Sequence, residues 1–346
     1  MRKSKPMCMF THSIMNTTTK KNNLSFSGLK NRFLANDSSS VLLATIVLIL
    51  LMGAIHPEFL STTQLRDIMQ QTVYSAFLGM GMCFLISMRD VDLSVGSTMG
   101  LSMCLSALLI KSGMNPWQAA ALSLLVGALI GVLNSSVIRW VGIQSLMATL
   151  AIASLIRGIV VGITNGQQTA GFPVDSSFFN ILSGFTFGIP NSDLVLLVVL
   201  LVLTLMLRKM AFGQRVLSIG SNPEAAEFSG ISVNRVRLQA FVLVGVLAAI
   251  AGLFAVAYFN SGDPTAGTGY ELNAVAAAII GGTSLNGGKA SPIGAVIAAI
   301  LLTSVSSGLV YFNVPVNWSQ AVTGGVTLLA LAVDSVLKRQ RNKKAI

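Results

Sequence analysis

The sequence predicts an all-α polytopic membrane protein of about ten transmembrane helices, interrupted by Gly-rich segments that break a helix or re-enter the bilayer. Three observations carry that prediction. With 53% hydrophobic and 10% charged residues, the 346-residue chain has too little polar surface to cover a water-soluble globule of its size. Its apolar residues gather into ten runs close to the ~20 residues that cross a hydrocarbon core about 30 Å thick. Its cations are concentrated in alternate connections between those runs, as the positive-inside rule requires.

In chain order, residues 1–38 are basic and rich in Ser, Thr and Asn. The opening MRKSKP is followed by no apolar stretch of the kind a cleavable signal carries, so this segment reads as a disordered cytoplasmic tail. A transmembrane domain occupies 39–337, with spans at 39–56, 68–88, 94–112, 117–138, 145–163, 191–207, 238–259, 270–286, 292–311 and 317–337. Residues 338–346 form a second basic tail.

An even number of crossings leaves both termini in the cytoplasm, together with 89–93, 139–144, 208–237 and 287–291. Those segments and the tails hold 20 of the 23 Lys and Arg; only Arg66, Lys111 and Arg157 lie elsewhere. The 164–190 connection, assigned to the outside, contains neither residue. The net charge of +11 therefore reads as a topology signal and a contact for anionic membrane lipid, and no nucleic-acid partner is expected. Gly96/Gly100, Gly127/Gly131 and Gly158/Gly162 repeat the small-xxx-small spacing that lets helix backbones approach closely, which predicts tight packing and no particular function.

Several chemistries are disfavoured. Cys8, Cys83 and Cys104 form no Cys-x-x-Cys pair and read as small core residues, and neither His12, in the tail, nor His56, at the very end of the first span, sits in a span interior. No metal, cofactor or catalytic residue is expected, and an integral membrane enzyme is a poor fit. The run Gly282-x4-Gly287-Gly288-Lys289 fails as a phosphate loop, because Thr283 and Ala290 occupy positions that the motif reserves for Gly and Ser or Thr. It reads better as a helix break that exposes backbone groups to a cavity. An ion-coupled secondary transporter is the alternative from another class, disfavoured because Asp92, Glu271 and Asp334 all lie near span ends.

The polar stretch 208–237 contains a short helix. Ser221-Asn222-Pro223-Glu224 offers a capping side chain, a Pro suited to the first turn and an acid at the positive end of the helix dipole; Ala225, Ala226 and Phe228 follow, and Gly230 stops it. About two turns of helix between spans cannot form a core, so this is either a surface gripped by another protein or an ordinary solvated loop. The order of residues supports the first. Phe212-Gly213-Gln214-Arg215, Ile219-Gly220-Ser221-Asn222, Glu224-Ala225-Ala226 and Ser229-Gly230-Ile231-Ser232-Val233 resemble the cytoplasmic coupling loop of ribose-type ABC importer permeases. These are bacterial inner-membrane subunits serving ribose, xylose and related solutes.

Two further blocks resemble the same family. Val91-Asp92-Leu93-Ser94-Val95-Gly96-Ser97 matches its signature run, with Arg89-Asp90 standing where the family has small residues. The block from Pro264 through Gly269-Tyr270-Glu271-Leu272-Asn273 to Gly287-Gly288-Lys289 is the most specific match, with Asn273 at the family's usual Asp. The resemblance runs from about 41 to 337. It implies a multi-pass permease in the bacterial inner membrane for a monosaccharide or similar small polar solute. A second permease subunit, most simply a second copy, would complete the channel, and a periplasmic or lipid-anchored binding protein would deliver solute. A cytoplasmic ATP-binding subunit would dock on 208–237 through Gly213, Gly220, Asn222, Glu224, Ala225, Ala226 and Gly230.

On the same resemblance, Asp92, Ser94, Arg157, Glu271 and Asn273 are expected along the solute pathway. Arg157 has a second reading. It lies about 10 Å from the outer end of its span by helical rise, at the limit of the distance over which an Arg can snorkel to the interface.

Overall fold

Helices begin where the sequence supplies caps. In the computed structural model, which describes residues 37–312 and isolated positions between 318 and 332, Ser61 accepts a hydrogen bond from Gln64 N at 3.2 Å. Asn115, Asn222 and Ser291 likewise accept from Trp117, Ala225 and Gly294 at 2.9, 3.1 and 3.2 Å. Each of those three is followed by Pro in the first helical position, where its missing N–H costs nothing. Left-handed residues stop three helices: Gly142, Asn165 and Asn260, at φ 73°, 53° and 51°.

The elements in order are α1 (Asp37–Ile55), a 3₁₀ turn (Pro57–Leu60), α2 (Thr62–Ser87), α3 (Val95–Lys111), α4 (Pro116–Val141) and α5 (Ser145–Thr164). Next come α6 (Ser177–Leu182), the antiparallel ribbon β1 (Phe185–Thr186) and β2 (Ile189–Pro190), α7 (Asn191–Lys209), α8 (Ala211–Ser221) and α9 (Pro223–Phe228). The described elements end with α10 (Val233–Phe259), α11 (Tyr270–Ile280) and α12 (Pro292–Tyr311).

The predicted spans from 39–56 to 292–311 each coincide with a helix, but three boundaries move. α2 and α10 begin earlier than expected, at Thr62 and Val233, because each carries a polar first turn that hydropathy excludes. α11 ends at Ile280, and its 11 residues reach about 16 Å at ~1.5 Å per residue, so 270–286 does not contain a full crossing. By length and composition, α4, α5, α7, α10 and α12 are able to cross a membrane. The expected span 317–337 lies outside the continuously described residues, as do the tails 1–36 and 338–346, along with Cys8, His12 and Asp334.

α2 and α10 form the centre. From Thr72 to Ser87 every residue of α2 is buried, and most of α10 from Val244 to Ala257 is buried too. Phe77 of α2 stacks on Phe254 of α10 with ring centres 5.8 Å apart, and Phe84 stacks on Phe212 of α8 at 6.0 Å. Around them the helices close backbone to backbone. A Cβ at Gly127 or Gly131 of α4 would collide with the carbonyl oxygen of Gly245 or Phe241 in α10. Gly158 and Gly162 have nothing within 4 Å, so the third small-xxx-small pair makes no such contact. Leu150, Leu155 and Ile159 on α5, with Leu197, Val198 and Leu201 on α7, face outward. In water that apolar area would drive association; in a bilayer it is the solvated surface.

The α4–α10 contact yields a stability test. Gly131→Leu forces the two backbones apart and costs about 1–3 kcal/mol by overpacking, whereas Gly162→Ala enters open space and is neutral. Thermal unfolding of the two variants in detergent should separate them, with only Gly131→Leu falling below the parent.

Candidate functional site

Three stretches of non-helical backbone interrupt the bundle, and the candidate residues gather around them. The first joins α10 to α11. Residues 260–269 leave helical geometry, with Gly267 and Gly269 at φ 78° and 84°, and their carbonyls need donors. Arg157 on α5 supplies them: its Nη1 donates to Ala266 O at 2.7 Å and to Pro264 O at 3.2 Å. α3 makes room for this segment. A Cβ at Gly100 would meet Ala266 O, and one at Gly96 would collide with Gly267 O and the Glu271 carboxylate. Glu271 Oε1 accepts from Gly269 N at 3.3 Å, while its Oε2 is buried without a hydrogen-bond partner. Asn273 is half-buried two residues further on.

The second stretch, 88–94, joins α2 to α3. Asp92 is 1% exposed, and its Oδ1 accepts from Ser94 N at 2.8 Å and Ser94 Oγ at 2.6 Å. Asn134 of α4 donates its amide to Asp92 Oδ2 at 3.1 Å and to Ser94 Oγ at 2.8 Å. Burial pushes the Asp92 carboxyl up to about 6, and the bonds from Ser94 and Asn134 oppose the rise. On the other side, Val91 N donates to Ser145 Oγ at 3.2 Å and Leu93 N to Thr149 Oγ1 at 3.0 Å, both on α5.

The third stretch, 281–291, joins α11 to α12 and meets the ends of α2 and α8. Gly288 N donates to Ser87 O, the end of α2, at 2.9 Å. Gly220 of α8 leaves no room for a Cβ between Ser87 O and Gly288 N. Thr283 is fully buried, donating to Cys83 Sγ at 3.2 Å and accepting from Ser291 N at 3.2 Å. The Gly-rich run is thus a packed joint between α2, α8 and α12, correcting the expectation that it exposes backbone to a cavity. It folds this way because successive left-handed glycines, Gly287 and Gly288, lay its backbone flat on its neighbours.

The expected site residues fall into two groups. Asp92 and Ser94 share one hydrogen-bonded cluster; Arg157 and Glu271 meet around 264–271. Of the 208–237 residues, Gly213 and Gly220 are buried against α7 and the third stretch, and Ala226 is buried on its own chain. Asn222 caps α9, and Gly230 follows it at φ 83° with no neighbour within 4 Å. Glu224, Ala225 and Glu227 are exposed, and Phe228 is 94% exposed. Asn134 and Thr149 were missed. Both are polar residues inside apolar spans, and that was the available signal. A cavity of about 340 Å³ lies apart from all of these, lined by Ile181, Leu182, Leu194, Val195 and Phe254 beside the ribbon. Its wall is mostly apolar, with Thr186 and Asn191 its polar members, and the hydrogen-bonding groups around 88–94 and 260–271 are the stronger candidate site.

Membrane-length helices broken by buried polar joints, with an exposed short helix at the basic end, define a transport permease. The chain matches residues 64–331 to the family model described as the branched-chain amino acid transport system / permease component. It is 35% identical to the ribose import permease RbsC of Escherichia coli K12, over 85% of this chain and 92% of that protein. It is 32% identical to the D-allose transport system permease AlsC of the same strain, over 85% and 90%, and 31% identical to its xylose transport system permease XylH, over 91% and 95%. No solved structure matches. The chain belongs to this family of ABC transport permeases and is a transport subunit, not an enzyme.

Arg157 yields the site's test. The nine Leu, Ile and Val of 146–163 insert this segment despite the charge, so Arg157→Ala should reach the membrane at near-parental abundance. It strips the donor from two carbonyls, and losing a charged hydrogen bond reduces solute uptake about ten-fold or more. Arg157→Lys recovers part of that loss. Uptake normalised to immunoblotted membrane protein measures both effects; parental uptake by the Ala variant would place Arg157 at the lipid interface instead.

Proposed function

We propose that this chain is the permease subunit of an ATP-driven importer and forms the membrane pathway for a monosaccharide or a related small polar solute. The observation that carries the reading is α9, a capped six-residue helix whose outer face is exposed and ends in a bare Phe228. A solvated loop has no reason to present a fully exposed aromatic on a helix anchored by buried glycines, whereas a helix that docks into a partner's cleft does. The three sugar permeases among its relatives favour the solute class.

The partners follow from this reading. An ATP-binding subunit takes α9 at the cytoplasmic end, a periplasmic or lipid-anchored binding protein delivers solute to the end carrying the ribbon, and a second permease, most simply a second copy, completes the channel. The basic segments are cytoplasmic in a ten-span inner-membrane topology with both termini inside, and they touch anionic lipid. Asp92, Ser94, Arg157, Glu271 and Asn273 border the pathway at the two breaks near α3.

Uptake of radiolabelled ribose, allose and xylose, in cells also expressing the ATP-binding subunit and the binding protein, tests the reading against an ATPase-dead control. Import should vanish in the control. Import that survives there and collapses when the proton gradient is dissipated would favour the ion-coupled alternative. Reporter fusions after residues 175 and 222 should score external and internal respectively.

α9 is tested separately. Phe228→Ser and Ala225→Trp should leave the permease folded but weaken co-purification of the ATP-binding subunit about ten-fold or more. Ala226→Trp should instead lower the permease's own stability, since that side chain is buried within the chain. Undiminished co-purification in the first two variants would make α9 a linker.

A further inference from the structure

Residue 89 has φ 68°, a left-handed conformation that a residue with a Cβ rarely adopts and that the surrounding contacts must impose. Those contacts are long-range. Arg89 Nε donates to Asn286 O at 2.9 Å, and its Nη2 donates to Ser221 O at 3.3 Å. The adjacent Asp90 is buried, and its Oδ2 accepts from Arg237 Nε at 2.7 Å. Ser221 directly precedes the cap of α9, and Arg237 lies in the first turns of α10 just beyond it. One dipeptide therefore holds both flanks of the segment that carries α9.

The other side of that dipeptide leads into the membrane. Val91 and Leu93 are bonded to α5, and Asp92 and Ser94 both accept from the Asn134 amide of α4. Ser94 O accepts from Thr98 N at 2.8 Å as α3 begins, and Gly96, the second residue of α3, abuts Gly267 and Glu271. Between the flanks of α9 and the 260–271 break the path consists of hydrogen-bonded or close-packed groups, and its two long side chains are both held at their ends, Arg89 on two carbonyls and Arg237 on Asp90.

We infer that Arg89 and Asp90 are positioning residues, a clamp through which displacement of α9 moves the 88–96 segment and with it the break before α11. The inference rests on the reading of α9 as the docking helix of an ATP-driven permease, and it adds residues that touch neither partner nor solute. Its physical requirement is that both ties be present: with either one cut, α9 shifts on the remaining tie and the 88–96 segment stays behind.

Hydrogen exchange of the purified full-length chain in lipid nanodiscs tests the clamp without partner or solute. Arg89→Gly keeps the left-handed backbone and removes the guanidinium; Asp90→Asn removes the charge facing Arg237. Each should speed exchange of the 223–231 amides and of the 267–273 amides about ten-fold, with α4 and the middle of α10 unchanged. Should Arg89→Gly fail to accumulate, Arg89→Lys keeps the charge and loses the two-carbonyl fork. Parental exchange at 223–231 overturns the clamp, and acceleration there without acceleration at 267–273 overturns the transmission.

Function supplies the second readout. With the ATP-binding subunit and binding protein in proteoliposomes, the number of ATP hydrolysed per radiolabelled ribose, allose or xylose imported should rise several-fold in the variants. A merely structural defect lowers hydrolysis and import together and leaves that ratio in place. The double variant Asp90→Arg, Arg237→Asp should bring the ratio back towards the parent; an unchanged ratio in Arg89→Gly overturns the inference. If the parental chain imports none of the probe sugars, the sugar reading fails on its own, and the exchange data still decide the clamp.

Discussion

A bilayer offers no water to an unpaired N–H or C=O, and that single constraint organises this molecule. Helices satisfy their own backbones, so every interruption needs donors or acceptors from elsewhere in the chain. The break at 260–269 takes them from Arg157, the 88–94 turn from Ser145 and Thr149, and the 281–291 turn from Ser87. Each interruption is thereby tied to a helix distant in sequence. Breaking a helix and joining it to its neighbours are here one operation.

The same constraint explains where glycine and charge are used. Close approach at Gly96, Gly100 and Gly220 brings broken backbone against intact helix, which side chains would prevent. Two of the charges inside the bundle are fully engaged: Arg157 caps carbonyls, and Asp92 has its two oxygens bonded by Ser94 and Asn134. Glu271 Oε2, by contrast, lies buried beside Gly96 without a protein donor.

Much of this was legible in the sequence because the signals are local. Apolar runs located nine helices, and Asn222-Pro223 located α9 to the residue. Gly287-Gly288 marked a turn but not its packing, since the partner groups, Ser87 and Gly220, lie far away in sequence. Arg157 was visible as a charge in an apolar span, but the carbonyls it serves belong to a break more than 100 residues on, which no local pattern announces. Ala225 and Ala226 look equivalent in sequence; only the hydrogen bond from Ile231 N to Ala226 O, which folds the chain back, separates the buried one from the exposed one. The ribbon at 185–190 was missed because its strands of two residues each are too short for any alternation to register.

The joint at Gly220 has one more consequence. At Gly220, α8 meets the end of α2 and the 281–291 turn through main-chain atoms, and Phe212 adds a stacked contact with Phe84, so neither contact uses a side chain of the neighbouring α9. The exposed positions of α9, bounded by Asn222 and Gly230, form a replaceable cassette. Exchanging Glu224, Ala225, Glu227 and Phe228 as a block rewrites what the helix presents while the bundle beneath retains its geometry.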